Sequence, residues 1–415
     1  MGNRENGGRP RFEVADIVRA HRDDYERVHR PSPAQQKVMR HIADCRTAAL
    51  GGHVEECDSC GRQRISFNSC RDRHCPKCQS TAREDWIEAQ LSKLLPIPYF
   101  HVVFTVPEQL HALALANRKV FFDILFTTAA ASLRAIAADE QHLGADVGFT
   151  AVLHTWGQNL LFHPHLHCVV TGGGLSADGQ RWVATRSSFF LPVKALGKLF
   201  RGKFLAALKR AYAAGRLQLG GSTAELAERK CWRSFLDQLY KKDWVVYAKT
   251  PFAGPEHVFR YLGRYTHRVA ISNHRLVNLE NGKVSFTAKN YARDGQRHIL
   301  HLDAVEFLRR FLLHVLPKGY TRIRHFGLCA ARNLYTKLET ARRLLSEWKA
   351  GCALPNPQRG NKLSQPWWKR FLDRTGIDLL ACTYCATGRL VRRQRIEPAY
   401  AAPTIHAAAV FQNSS

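Results

Sequence analysis

The sequence predicts an α+β protein: a central antiparallel sheet flanked by helices, a cysteine-rich helical module before it and a helical, basic region after it. Three observations carry this expectation. Short β-branched runs alternate with amphipathic helical stretches between about residues 96 and 315. Cysteines crowd into residues 45–80, among Gly and Arg and with little apolar material for a core. Beyond residue 330 a helical stretch gives way to a Pro- and Asn-rich linker (354–366) and a basic segment. The expected division is 10–95, 96–330 and 331–415.

Taken in order, residues 1–10 are polar and Gly-rich, and Phe12 to about Asp44 is helical, with Ser32 as a cap and Pro33 at a first helical position. A helix from Thr81 to Leu94 ends before the prolines of LLPIPYF. HVVFTVP (101–107) is a strand bounded by Pro, 108–137 is an Ala- and Phe-rich helical stretch, and FTAVLHTW (149–156) is a second strand. FHPHLHCVV (162–170) is a third, closed by a turn at TGGGLSADGQ. RWVATR, SSFFLPV and DWVVYAK read as strands, and 194–214 and 222–241 as basic amphipathic helices. A helix starts at Pro255, KVSFTAK and HILHLD are strands, and 303–315 and NLYTKLETARRLLSEW are helices.

The charge narrows the partner. Sixty-two Lys and Arg against 34 acids give a formal +28 over 415 residues, spread along the chain and not gathered in a tail. Such a surplus attracts polyanions, and extended contact with a phosphate backbone suits its distribution. The N-terminus has no apolar run of the secretory kind, and no stretch approaches 18 uninterrupted apolar residues, so neither export nor a membrane span is expected. The expected location is cytoplasmic. The twelve Cys are therefore read as free, metal-binding or catalytic.

CDSC (57–60) and CPKC (75–78) are two C-x-x-C knuckles fourteen residues apart. Each knuckle presents two thiolates, so Cys57, Cys60, Cys75 and Cys78 are expected to share one structural Zn2+. Cys70 and His74 stand nearby, with Cys45 and His53, as extra ligands or as packing. Cys382 and Cys385 form a lone third knuckle that needs distant ligands to hold an ion.

His163, His165 and His167 occupy alternate positions, which chance composition yields about 0.05 times. In a strand they line one face while Leu166 and Cys168 face a core. If 149–156 and 163–170 pair as a hairpin, His154 lies opposite His165 and Trp156 opposite His163, bringing two imidazoles within reach of one cation. Gln158 and His163, at the hairpin end, are rival ligands. The alternative is a solvated polar strand face.

PEHVFRYLGRYTHRVAISN places Tyr261 and Tyr265 one helical turn apart on one face, with Arg264 and Arg268 as candidate DNA contacts. The tyrosine pair alone is ordinary amphipathic packing. Phosphodiester attack by a phenol needs a cation on the phosphate and basic groups on the strand, and this chain offers both.

These features, in this order, resemble the HUH-type two-tyrosine transposases of the insertion-sequence-91 group. The resemblance is carried by CRTAALGGHVEECDSCG, NSCRDRHCPKCQ, HVVFTVP, VLHTWGQNLLFHPHLHCVVTGGG, PFAGPEHVFRYLGRYTHRVAISNHRLV and YTRIRHFGLCAAR. It implies cleavage and joining of single-stranded DNA at element ends in rolling-circle-like transposition. It makes Tyr261 and Tyr265 the nucleophiles, each forming a 5′-phosphotyrosine link. His165 and His167 would bind Mg2+ or Mn2+, with His154 as third ligand and Gln158 or His163 as rivals. The zinc segment would grip DNA ends. A plasmid replication initiator or relaxase of the same chemistry, and a non-catalytic zinc-ribbon regulator, are the alternatives. Neither the oligomeric state nor the sequences recognised follow from the residues.

Overall fold

The structure, a computed structural model, describes residues 10–78, 80–185, 191–249, 257, 259–260, 263, 270–290, 295–348, 365–385 and 387–399. The expected strand SSFFLPV falls mostly outside them.

Two helices, α1 (Val14–Val28) and α2 (Pro33–Asp44), open the chain. The Ser32 cap forms as expected: its hydroxyl accepts from Gln35 N, and Gln35 Oε1 accepts from Ser32 N at 2.9 Å. A hairpin, β1 (Gly52–Cys57) and β2 (Gln63–Phe67), and helix α3 (Ser80–Leu91) follow. Next come β3 (Tyr99–Thr105), α4 (His111–Ala116), α5 (Arg118–Ala138), β4 (Asp146–Trp156), β5 (Phe162–Leu175) and β6 (Trp182–Ala184). Then α6 (Val193–Ala213), α7 (Arg229–Lys241), β7 (Val246–Lys249), β8 (Leu276–Glu280), β9 (Lys283–Asn290), β10 (Gln296–Asp303) and α8 (Ala304–Leu312). The last described elements are β11 (Ile323–Phe326), α9 (Lys337–Trp348), α10 (Trp367–Thr375) and β12 (Leu390–Ile396).

The central sheet runs β11-β4-β5-β3-β7, with β6 on the far end of β5, and every pairing within it is antiparallel. Alternation divides its residues between two faces. Phe100, Val102, Phe104, Phe149, Ala151, Leu153, Leu166, Cys168 and Val170 form one face, buried against α5 and α6. That burial explains α5, a 21-residue apolar helix long enough to cross a membrane, whose apolar side chains fill this core instead. The other face carries the histidines. β5 continues to Leu175 through the expected turn, and the chain reverses at 176–180.

The cores do not follow the chain order that the sequence predicts. α1 and α2 pack with α8 and with Val284 and Phe286 of the sheet β10-β9-β8, in one cluster. Residues between Ala270 and Val315 thus share a core with the first helices, across the expected boundary at 95/96. The second expected boundary, 330/331, is crossed as well. β12 pairs antiparallel with β1, Gly52 opposite Ile396 and Cys57 opposite Leu390, giving a three-stranded sheet β12-β1-β2. The C-terminal strand therefore belongs with the N-terminal module.

Candidate metal centre and zinc module

His154 of β4 pairs with His165 of β5, as the hairpin predicts. The expected partner of Trp156 does not: Trp156 lies opposite Phe162, because a bulge intervenes after His154. The physical reason is Thr155. Its hydroxyl, released from the ladder, lies 3.2 Å from Nδ1 of buried His314, whose Nε2 donates to the Leu160 carbonyl at 3.0 Å. The bulge thus fastens the hairpin to the turn after α8 and shifts His163 out of register.

His154, His165 and His167 bring one ring nitrogen each within 4.8 Å of one another. His154 and His167 are buried and His165 is half-buried. Nδ1 of His165 is 2.7 Å from the His163 carbonyl, which can only accept, so Nδ1 carries the hydrogen and a neutral His165 aims the Nε2 lone pair into the cluster. Nε2 of His167 lies 3.0 Å away. Two such lone pairs repel unless a cation or a proton lies between them. Two ligands about 2.1 Å from one octahedral ion subtend about 3.0 Å, so the spacing fits a shared metal. Gln158 stands in the turn, where its carbonyl accepts from Arg275 at 2.5 Å, and the His163 ring packs against His111 at 5.7 Å. His163 does not join the three-histidine cluster.

The sequence reading missed two groups. His101, on β3, sets Nε2 2.8 Å from Nδ1 of His167, an outer hydrogen bond of the kind that orients a ligand. Its only signal was position, at the head of the β-branched run HVVFTVP. Arg322, fully buried just before β11, bears on His154 electrostatically, and burial lowers its own pKa to about 9. Burial likewise drives His101 and His165 to about 4, and holds His154 and His167 well below the usual imidazole range, helped by neighbouring imidazoles. All four are therefore neutral at pH 7, the form in which imidazole binds a metal.

Tyr261, Tyr265, Arg264 and Arg268 lie outside the described residues. The described residues around them, 257, 259, 260 and 263, are helical. Phe259 packs in one buried cluster with Tyr99, Val152 and Val169, on the sheet face that bears His154, His165 and His167, and against Trp86 of α3. Gly263 abuts α3 so closely that a Cβ there would sit 2.4 Å from Ile87 Cδ1.

The cysteines assemble differently from expectation. Cys75 and Cys78 join Cys45 and Cys70, whereas Cys57 and Cys60 join Cys382 and Cys385, so the two knuckles do not share a site. The hairpin explains why. Cys57 and Cys60 stand at its tip, and Cys45 and Cys70 flank its base, where Arg46 N donates to the Asn68 carbonyl at 3.0 Å. The six residues of β1 put about 20 Å between tip and base, far beyond one ion's reach.

At the base, Cys45 Sγ and Cys78 Sγ are 3.4 Å apart and Cys70 Sγ and Cys78 Sγ 3.6 Å, near the 3.8 Å or so expected between thiolates on one zinc. Amides of Cys70 and Asp72 point at Cys45 Sγ and Cys70 Sγ, each at 3.5 Å. Cys70 thus takes a ligand's place, and His74 does not. Its Nδ1 bonds Asp72 at 2.9 Å and its Nε2 accepts from Leu316 N at 3.3 Å, tying this loop to the main body. Arg73 reinforces the tie by donating to the carbonyls of Tyr320 and Pro317, at 2.7 and 3.0 Å.

Comparison with known proteins supplies the identity. Residues 17–106 match the family described as "Transposase zinc-binding domain", and residues 148–335 match the family described as "Putative transposase". The chain is 50% identical to "Putative transposase y4qJ" of Sinorhizobium fredii, over 91% of this chain and 94% of that one. It is 30% identical to the transposase for insertion sequence element IS801 of Pseudomonas savastanoi pv. phaseolicola, over 69% and 68% of the two chains. The chain belongs to the insertion-sequence-91 family of transposases. No solved structure matches it. In this transposase the zinc-binding segment holds Cys45, Cys70, Cys75 and Cys78, and the second matched segment begins on β4 and contains the three histidines. A transposase acts on DNA, which accounts for the +28 charge.

Proposed function

We propose that the transposase nicks and rejoins single-stranded DNA at the ends of its element through 5′-phosphotyrosine intermediates, in rolling-circle-like transposition. Tyr261 and Tyr265 are the nucleophiles. In each cleavage a tyrosine Oη bonds to the scissile phosphorus, the bond to the 3′-oxygen breaks, and that oxygen leaves as a 3′-hydroxyl carrying a proton. Rejoining is the reverse attack by a 3′-hydroxyl, which frees the phenol. Two phenols allow a second cut while the first end is still covalently held.

The carrying observation is the cross-strand imidazole cluster, on the sheet face against which Phe259 of the tyrosine segment packs. His154, His165 and His167 would hold Mg2+ or Mn2+, which supplies polarisation of the scissile phosphate. His101 orients His167, and Arg322 adds positive charge beside His154. Arg264 and Arg268 hold the strand, and the work is done in the cytoplasm, on nucleoid DNA.

A labelled single-stranded end oligonucleotide incubated with the protein and Mn2+ tests this. A covalent adduct that survives denaturation is expected, lost in Tyr261→Phe/Tyr265→Phe. His165→Ala should abolish the adduct and spare most binding. An undiminished adduct in the double Tyr variant, or adduct formation indifferent to added metal, overturns the assignment.

A further inference from the structure

Cys57 and Cys385 are 328 residues apart in sequence, yet their sulfurs are 3.5 Å apart. Cys60 Sγ and Cys382 Sγ are 3.8 Å apart, and all four sulfurs fall within 4.8 Å of one another. Four thiolates about 2.3 Å from a tetrahedral zinc are separated by about 3.8 Å, whereas a disulfide needs about 2.05 Å. Both knuckles also turn an amide toward sulfur: Cys60 N donates to Cys57 Sγ and Tyr384 N to Cys382 Sγ, each at 3.4 Å. At Gly388 a Cβ would lie 2.1 Å from Cys57 Sγ and 2.9 Å from Cys385 Sγ, so the space where the sulfurs converge admits no side chain.

Among the described residues the apolar contacts at this place are few. The buried cluster holding β12 to the hairpin tip consists of Cys57, Cys382 and Leu390, with Cys385 half-buried beside it. So small a core leaves most of the ordering entropy of residues 380–396 uncompensated, and metal binding is the usual remedy. Hydrogen bonds fix the geometry without supplying that energy: Cys382 N donates to the Gly388 carbonyl at 2.9 Å, and Arg389 N to Asp58 Oδ1 at 2.7 Å.

We propose that Cys57, Cys60, Cys382 and Cys385 bind a second Zn2+, which clasps the C-terminal strand β12 onto the N-terminal module. Two of its four ligands lie far outside the matched zinc-binding segment, which ends at residue 106. The clasp makes the two ends of the chain one unit and holds Arg392, Arg393 and Arg395, all exposed, along the outer edge of the β12-β1-β2 sheet.

Zinc content of the reduced, full-length protein is the first test. Two ions per chain are expected, and one in Cys57→Ser/Cys60→Ser and in Cys382→Ser/Cys385→Ser. The variant with all four substitutions should also retain one, because either pair alone destroys the same site. Two ions in Cys382→Ser/Cys385→Ser, or a further loss in the fourfold variant, overturns the clasp. Should the variants not fold, the wild type decides through maleimide labelling read by mass spectrometry. Cys60 is exposed, so without metal it reacts at once. With zinc, Cys60, Cys382 and Cys385 should resist together and become reactive together on chelation. Immediate labelling of these three in zinc-loaded protein overturns the proposal.

Discussion

A histidine is a ligand or a liability according to its neighbours. His101 reaches the proposed metal site through its hydrogen bond to His167, so its role is positioning. His101→Ala should weaken Mn2+ binding by about 10–100-fold while zinc content and the urea midpoint change little. His101→Gln, which keeps a polar partner for Nδ1 of His167, should recover part of the loss. Electron paramagnetic resonance titration with Mn2+ reads both, and unchanged affinity in the alanine variant would remove His101 from the site. The same burial makes the protein acid-sensitive. His101, His165 and His325 titrate at about 4 and His314 at about 3, against 6.5 when exposed. Below pH 6.5 the unfolded chain binds protons that the folded chain refuses, so stability falls between pH 6.5 and about 4. Above 6.5 these groups contribute no slope. Each adds up to about 1.4 kcal/mol per pH unit. The urea midpoint at saturating zinc should drop steeply across that window, and less steeply in His314→Gln.

At the scale of elements, strand alternation and its interruptions place the chemistry. The period of two in FHPHLHCVV was legible because one face meets the α5–α6 core and the other does not. The bulge at Thr155 was not, since it goes with a contact to His314, in the turn after α8, far along the chain. Gly263, itself helical, meets α3 so closely that a Cβ there would press on the Ile87 side chain. Gly263→Leu should therefore displace the chain there, at a cost of about 1–3 kcal/mol, and cut covalent adduct formation by about tenfold or more, with Gly263→Ala between. Adduct yield on a single-stranded end oligonucleotide measures this; wild-type yield in the leucine variant would detach the segment from the chemistry.

For the whole molecule the dominant facts are charge and closure. A surplus of +28 implies binding governed by counterion release. Engagement of about six phosphates on a single strand gives a log–log salt slope near −4. Fluorescence anisotropy over a salt series should return a slope of that order, unchanged in His165→Ala; a slope near zero would mean that the basic surface is not the binding surface. Closure is the larger surprise. Residues between Ala270 and Val315 share a core with α1 and α2, and β12 returns to β1, so the modules interleave along the chain.

What the sequence by itself determined is local: a helix cap at Ser32, imidazoles on one strand face, thiolates paired in knuckles, a DNA-seeking charge, and family motifs strong enough to imply transposase. Each is encoded within a few residues, where backbone period and side-chain type decide. Only the tertiary structure decided which knuckle meets which partner. Cys57 and Cys75 stand close in sequence, but a hairpin about 20 Å long separates them, while Cys385, hundreds of residues away, is delivered by the register of β12 on β1. Spacing along the chain carries no record of that register, because hydrogen-bond pairing between distant strands and the packing that closes long loops set it.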